Sequence, residues 1–249
     1  MENYTAEFVG TMLLIVIGNG SVANVSLSKS KGEQSGWIVI TTGWGLAVAL
    51  AVYAVGRISG AHINPAVTVS LACIGSFDWA MVPGYLFAQF LGAFAGAVTV
   101  WLVYLPHWSI TEDPDAKLGV FCTAPAVRRL GSNLLTEMIG TAVLLFGILA
   151  IGDNAQQLQD PSGLDLSTVF SGGIQPLLVG FLVWAIGLSL GGPTGYAINP
   201  ARDWGPRIAH AILPIPGKRD SDWSYSWVPL VGPLAGGILG SALYVLIGF

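Results

Sequence analysis

Charge is what this 249-residue chain has least of. Only 10% of its residues are Asp, Glu, Lys or Arg, against about 25% in a soluble domain. Ten Lys and Arg against fourteen Asp and Glu leave a net charge of −4, which excludes the basic surface that nucleic acid needs. Cysteine is nearly absent too. Cys73 and Cys122 show no metal-ligand spacing, so neither a metal nor a cofactor is expected, and a disulfide between them has no support. Cys73 lies in an apolar stretch and reads as buried filler. No nucleophile–base pair and no cofactor loop is visible, so an enzyme is not expected. The start of the chain lacks the basic residues of a secretory signal. Ser21-Val-Ala23 resembles a cleavage site, but the residues before it contain no Lys or Arg and carry Glu2 and Glu7, so the segment reads as a retained first helix.

What the chain has instead is apolar length. Hydrophobic residues make up 53% of it, and the mean hydropathy is +0.67. A helix needs about 20 residues to cross a bilayer core. Six stretches read as full spans: Thr5–Leu27, Trp37–Gly56, Ala80–Tyr104, Leu134–Ile151, Gly173–Leu190 and Trp227–Phe249. Gly92, Gly96 and Ala97 in the third carry the small-residue spacing of close helix packing. Polar connections are expected at Lys29–Gly36, Leu105–Gly131, Asp153–Thr168 and Pro214–Trp223, with a helix break at Arg57–Gly60. The longest of them, Leu105–Gly131, contains Pro106, Pro114 and Pro125 and reads as a linker between two halves.

Two further apolar stretches are too short to cross. Pro65–Gly75 and Pro200 to about Ala211 each follow an Asn. Asn caps a helix and Pro fits its first position, so Asn64-Pro65-Ala66 and Asn199-Pro200-Ala201 are helix starts. A helix of about eleven residues rises only about 16 Å, half a membrane. It reads as a re-entrant half-helix, which is tolerated only inside protein or beside a water-filled cavity. The halves repeat each other. Glu7-Phe-Val-Gly-Thr11 recurs as Glu137-Met-Ile-Gly-Thr141, and Ser59-Gly-Ala-His-Ile-Asn-Pro-Ala66 as Thr194-Gly-Tyr-Ala-Ile-Asn-Pro-Ala201. Three spans per half is an odd number, so the second half enters the membrane inverted. Interrupted segments at matching places then mark a solute path at the midplane.

With these paired boxes and glutamates, the chain resembles the aquaporin (major intrinsic protein) family over its whole length, and within it the bacterial aquaglyceroporins of the glycerol facilitator type. The resemblance implies an all-α membrane protein of six spans and two half-helices in a right-handed bundle. It implies a single channel unit over residues 1–249, with repeats about 1–110 and 130–249, and a homotetramer with one pore per subunit. It also implies a bacterial plasma membrane location with both termini cytoplasmic. The subfamily rests on Asp203 after Arg202, the basic Arg207 four positions on, and Pro229-Leu230 early in the sixth span. By resemblance the outer constriction falls on Trp44, Gly187, Tyr196 and Arg202, with Gly187 widening the pore where water-selective members often have His. Tyr196 departs from the Phe common in glycerol facilitators.

The implied partners are glycerol, other small uncharged solutes and water. Asn64 and Asn199 would each aim an N–H at a passing oxygen. The half-helix dipoles place positive charge at the midplane. Arg202 would offer donors to hydroxyls, and Trp44 and Tyr196 an apolar corner to the carbon edge. Glu7 and Glu137 read as braces for the inserted loops, with proton coupling as the alternative. His62 lines the inner vestibule or is structural, and Asp203 fixes the loop around Arg202. Tyr85 and Gln89 are compatible with packing. The family topology leaves only Arg57 of the ten Lys and Arg residues in a cytoplasmic connection, against the positive-inside rule. The expected function is a passive channel for glycerol and similar solutes. A mainly water-selective channel and a proton-coupled polyol transporter are the alternatives.

Overall fold

The computed structural model describes residues 1–156 and 166–248. Every regular element among them is helical: α1 (Glu2–Ser26), α2 (Trp37–Ser59), α3 (Pro65–Cys73), α4 (Val82–Val103), α5 (Leu105–Ile110), α6 (Pro114–Phe121), α7 (Leu130–Gln156), α8 (Ser167–Gly173), α9 (Gln175–Leu190), α10 (Pro200–Ile212) and α11 (Val228–Ile247). α1, α2, α4, α7 and α11 are long and apolar enough to cross a membrane. The fifth span in chain order is not one straight helix. α8 and α9 together supply it, bent by 48°, and Pro176 in the first turn of α9 fits a helix start after the bend.

Two other expectations change. The Leu105–Gly131 linker is partly ordered as α5 and α6, each opened by a proline. α2 runs through Arg57 to Ser59, and Gly60 ends it in the left-handed conformation at φ 80°. Most of the expected polar loop at Asp153–Thr168, and Phe249 at the end of the sixth span, lie outside the described residues.

Helices approach closely where glycine permits it. A Cβ on Gly92 would run into the Phe8 carbonyl oxygen, and one on Gly96 would stand 2.8 Å from the Met12 carbonyl oxygen, so α4 lies backbone to backbone on α1. The second half repeats this, with Gly236 against Met138 and Gly240 against Ala142 joining α11 to α7. Between the halves, Gly45 of α2 and Gly180 of α9 face each other. A Cβ on either would meet the other's carbonyl oxygen, at 2.9 and 2.6 Å. These are the small-residue contacts by which apolar helices associate without a hydrophobic driving force.

α3 and α10 rise about 14 and 20 Å from their nine and thirteen residues. Both are packed against spans of the opposite half, α3 on α11 and α10 on α4. Cys73, expected to be buried, is exposed at the C-terminal end of α3, because the half-helix runs outward from its buried N-terminus. Cys122 is buried, and both thiols are free.

Candidate pore

The two Asn-Pro-Ala boxes meet back to back. Asn64 caps α3 by accepting from Ala66 N at 2.9 Å, and Asn199 caps α10 by accepting from Ala201 N and Arg202 N at 3.0 and 3.2 Å. Each side-chain amide then reaches into the other half. Asn64 Nδ2 donates to Ile198 O and Asn199 Nδ2 to Ile63 O, both at 2.8 Å. Each amide therefore caps its own helix through its oxygen, donates one bond to the other half, and keeps one remaining N–H.

The loops leading into the boxes are strained alike. Ala61 and Ile63 have φ of 49° and 44°, Tyr196 and Ile198 of 37° and 43°, a region costly for β-branched isoleucine. The repeated glutamates hold these turns. Glu7 Oε1 accepts from His62 N at 2.9 Å and from Ser59 Oγ at 2.7 Å. Its Oε2 accepts from Ile63 N at 2.7 Å and from Gln89 Nε2 at 2.8 Å. Glu137 accepts from Ala197 N at 3.0 Å and Ile198 N at 2.9 Å. Both carboxylates are buried, and neither lines the cavity that the loops border.

That cavity, about 720 Å³, runs beside the boxes. α2 lines it from Trp44 through Val48, Val52 and Tyr53 to Arg57, and α9 through Gln175, Val179 and Val183. Arg57 stands thirteen helical steps beyond Trp44, about 20 Å along α2. Leu14, Val67, Leu71, Leu144 and Ile148 complete an apolar wall. The irregular segments 60–64 and 196–199, whose backbone polar groups are not all consumed by helices, border the same cavity. Its lining thus combines apolar side chains with polar backbone and side-chain groups.

At the Trp44 end the Arg202 guanidinium lies over the indole, 4.1 Å from the ring centroid. Arg202 Nη1, Trp44 Nε1 and the Tyr196 hydroxyl have no hydrogen-bond partner within the protein. The Tyr196 ring packs edge-on to Trp37 at 5.8 Å, and Trp37 Nε1 donates to Gly187 O at 3.0 Å. Gly187 itself does not line the cavity. A Cβ there would stand 2.7 Å from Tyr196 Cζ, so the room left by the missing side chain holds the tyrosine ring. This corrects the expectation that Gly187 opens the passage directly.

Asp203 does not line the passage either. Its Oδ2 accepts from Thr123 N and Oγ1 at 2.8 and 2.7 Å, and Oδ1 accepts from Arg207 Nε at 2.8 Å. Arg207, wholly buried, also donates to Thr123 O, Ser221 O and Asp222 O at 2.9, 2.7 and 3.1 Å. One ion pair thus ties two connections to α10. His62 borders the cavity, is 3.1 Å from Thr68 Oγ1 through Nδ1, and packs on Phe77 and Tyr85.

Tyr85 and Gln89, which sequence reasoning left unassigned, belong to the Glu7 brace. Tyr85 donates to Ser59 O at 2.8 Å and Gln89 to Glu7 and Thr68. A glutamine inside an apolar span was itself a signal. Thr123 offered none. Among the described residues, no group of three or more His, Cys, Asp or Glu could hold a metal.

Residues 1–244 match the family described as "Major intrinsic protein". A "Probable glycerol uptake facilitator protein" of Thermotoga maritima is 71% identical over 244 residues, covering 98% of both chains. A "Glycerol uptake facilitator protein" of Bacillus subtilis is 57% identical, over 98% of this chain and 84% of that one. The X-ray structure of the aquaglyceroporin from Plasmodium falciparum superimposes with a TM-score of 0.82 at 33% identity, covering 98% of this chain and 94% of that one.

Proposed function

The chain belongs to the major intrinsic protein family, and we propose that it is a passive membrane channel for glycerol and similar small uncharged polyols, with some water flux, that excludes ions and protons. The glycerol assignment draws on the relatives named above. The observation that carries it in this molecule is the mixed lining of the cavity, which joins apolar side chains such as Val48, Val52, Val179 and Val183 to the irregular segments 60–64 and 196–199 and to Arg202. A polyol has one carbon edge and one row of hydroxyls, and such a passage receives both.

The residues take these roles. Asn64 and Asn199 present their remaining N–H to passing oxygens, with Pro65, Ala66, Pro200 and Ala201 shaping the helix starts behind them. Arg202 donates to hydroxyls at the narrow end, and Trp44 and Tyr196 supply its apolar corner, with Gly187 seating the tyrosine. In aquaporin-type pores generally, an arginine and the positive ends of half-helices keep out protons and cations. Arg202 and the N-termini of α3 and α10 supply both features. Glu7 and Glu137 act as braces and not as proton carriers, because their oxygens are engaged by the loops. His62 lines the vestibule from the first loop.

Residues 1–249 form one channel unit, four copies assemble as a homotetramer, and both termini face the cytoplasm of a bacterial plasma membrane. Reporter fusions at the C-terminus test that orientation, since the basic residues are distributed against the positive-inside rule.

Stopped-flow light scattering on proteoliposomes with water, glycerol, urea and dihydroxyacetone gradients tests the function. Glycerol flux well above that of protein-free vesicles is expected, and only downhill. Glycerol accumulation against its gradient under an imposed proton gradient would overturn the channel in favour of a coupled transporter. Fast water flux without glycerol flux would make it a water channel.

A further inference from the structure

We propose that the mouth of the cavity at Arg57 binds small phosphate-bearing anions, which occupy the passage without crossing it. The inference rests on the channel reading above for its consequence, but not for the binding itself.

Among the described residues, those lining the cavity include two arginines and no carboxylate. One, Arg202, lies over Trp44. The other, Arg57, is exposed in the last turn of α2, and among the described residues it has neither an ion-pair nor a hydrogen-bond partner. Three other arginines each have an acid: Arg128 pairs with Asp222, Arg207 with Asp203 and Arg219 with Asp115. The Arg57 guanidinium extends across the mouth to α8, where a Cβ built on Gly172 would stand 3.5 Å from Nη2. Thr168, Ser171 and Gln175 border the same mouth, and Tyr53, one turn before Arg57, ties α8 down by donating to Gly173 O.

An unpaired guanidinium with uncharged hydroxyl and amide neighbours fits a tetrahedral oxyanion. Two parallel N–H bonds match two phosphoryl oxygens, and among the described residues that line the cavity no acid competes. A monoester of a small polyol would set its phosphate on Arg57 and its hydroxyl chain toward the cavity. Passage would require stripping water from the charge against the apolar wall, a cost that holds the anion at the mouth. Any reaction class that phosphorylates the permeating solute on that side would produce such an occupant.

The test uses the purified full-length protein. Titration calorimetry with inorganic phosphate alone, and with a glycerol phosphate alone, should give saturable binding near the millimolar range. Arg57→Gln should weaken it at least about tenfold, a loss of about 1.4 kcal/mol, and Arg57→Lys less, since the charge remains but the fork is lost. In proteoliposomes with the anion on both faces, polyol efflux should slow at least twofold by our reading. Each variant is compared with its own rate in chloride at equal ionic strength. Slowing by both anions, or by the ester alone, supports the site, and the difference says whether the ester's chain contributes. Undiminished binding in Arg57→Gln, no binding to either anion, or polyol efflux no slower than in chloride overturns it. If no polyol flux is seen at all, the proposed function fails, while the calorimetry still decides the anion site.

Discussion

The two inserted loops are repeats of one design that have taken different work. Aligned on their asparagines, Ala61 stands where Tyr196 does, Val67 where Arg202 does, Thr68 where Asp203 does and Ala72 where Arg207 does. The first loop keeps small or apolar groups at these places. Its polar capacity turns inward, into Glu7, Ser59, Thr68, Tyr85 and Gln89. The second has a leaner brace, Glu137 on two backbone N–H groups. In exchange it carries a buried ion pair that clamps Thr123 and the segment at Ser221–Asp222. The lesson is that the cap, the crossed asparagine and the carboxylate on two loop N–H groups recur in both halves. The positions one turn away are free to become a constriction on one side only.

The comparison breaks most severely at the clamp. Asp203→Ala leaves the Arg207 charge buried and unpaired, and should cost about 3–5 kcal/mol. The matching Thr68→Ala removes only neutral bonds and should cost about 0.5–1.5 kcal/mol. Thermal unfolding in detergent measures both, and equal shifts would deny that the halves differ in this way. Next come the braces. Glu137→Gln and Glu7→Gln each replace a carboxylate oxygen by an amide that faces a backbone donor, at about 1–3 kcal/mol for the unsatisfied group. Glu7→Gln should be the worse, since the carboxylate also receives Ser59 and Gln89.

At the constriction, Gly187→His must move the Tyr196 ring that occupies its space. Glycerol permeability should fall at least about tenfold, a barrier increase of about 1.4 kcal/mol, with water far less affected. The readout is the glycerol-to-water ratio at equal protein density, and an unchanged ratio would remove Tyr196 from the filter. The peripheral clasp should matter less. Burial would raise the Asp222 carboxyl, but bonds from Arg128 and Ser224 hold it below its ordinary 3.8. Its stabilisation is therefore full above that value and fades as pH falls through the lower folded one. Arg128→Ala should move the onset of acid unfolding to higher pH, and an onset that stays put would mean that the pair contributes nothing. Smallest of all, Tyr196→Phe removes one hydroxyl while keeping the ring on Trp37 and Gly187, and glycerol flux should change less than about twofold, under 0.4 kcal/mol. A larger change would make that hydroxyl a direct solute contact.

Much of this architecture follows from short-range rules. Hydropathy over about 20 residues marks a span. Asn before Pro starts a helix, and a helix too short to cross must turn back. Those rules act within one element, so the boxes, the half-helices and the repeated glutamates stand in the sequence itself. Partnerships do not. Asn199 meets Ile63 across 136 positions, Trp37 meets Gly187 across 150, and Gln89 meets Glu7 across 82. No local pattern encodes which distant group a side chain will face. That Gly187 seats Tyr196 instead of opening the passage, that Cys73 surfaces at the end of α3, and that Arg57 stands at the mouth without a partner among the described residues were decided only when the helices packed. Close packing leaves each side chain the partners that geometry brings to it, and those come from distant positions in the chain.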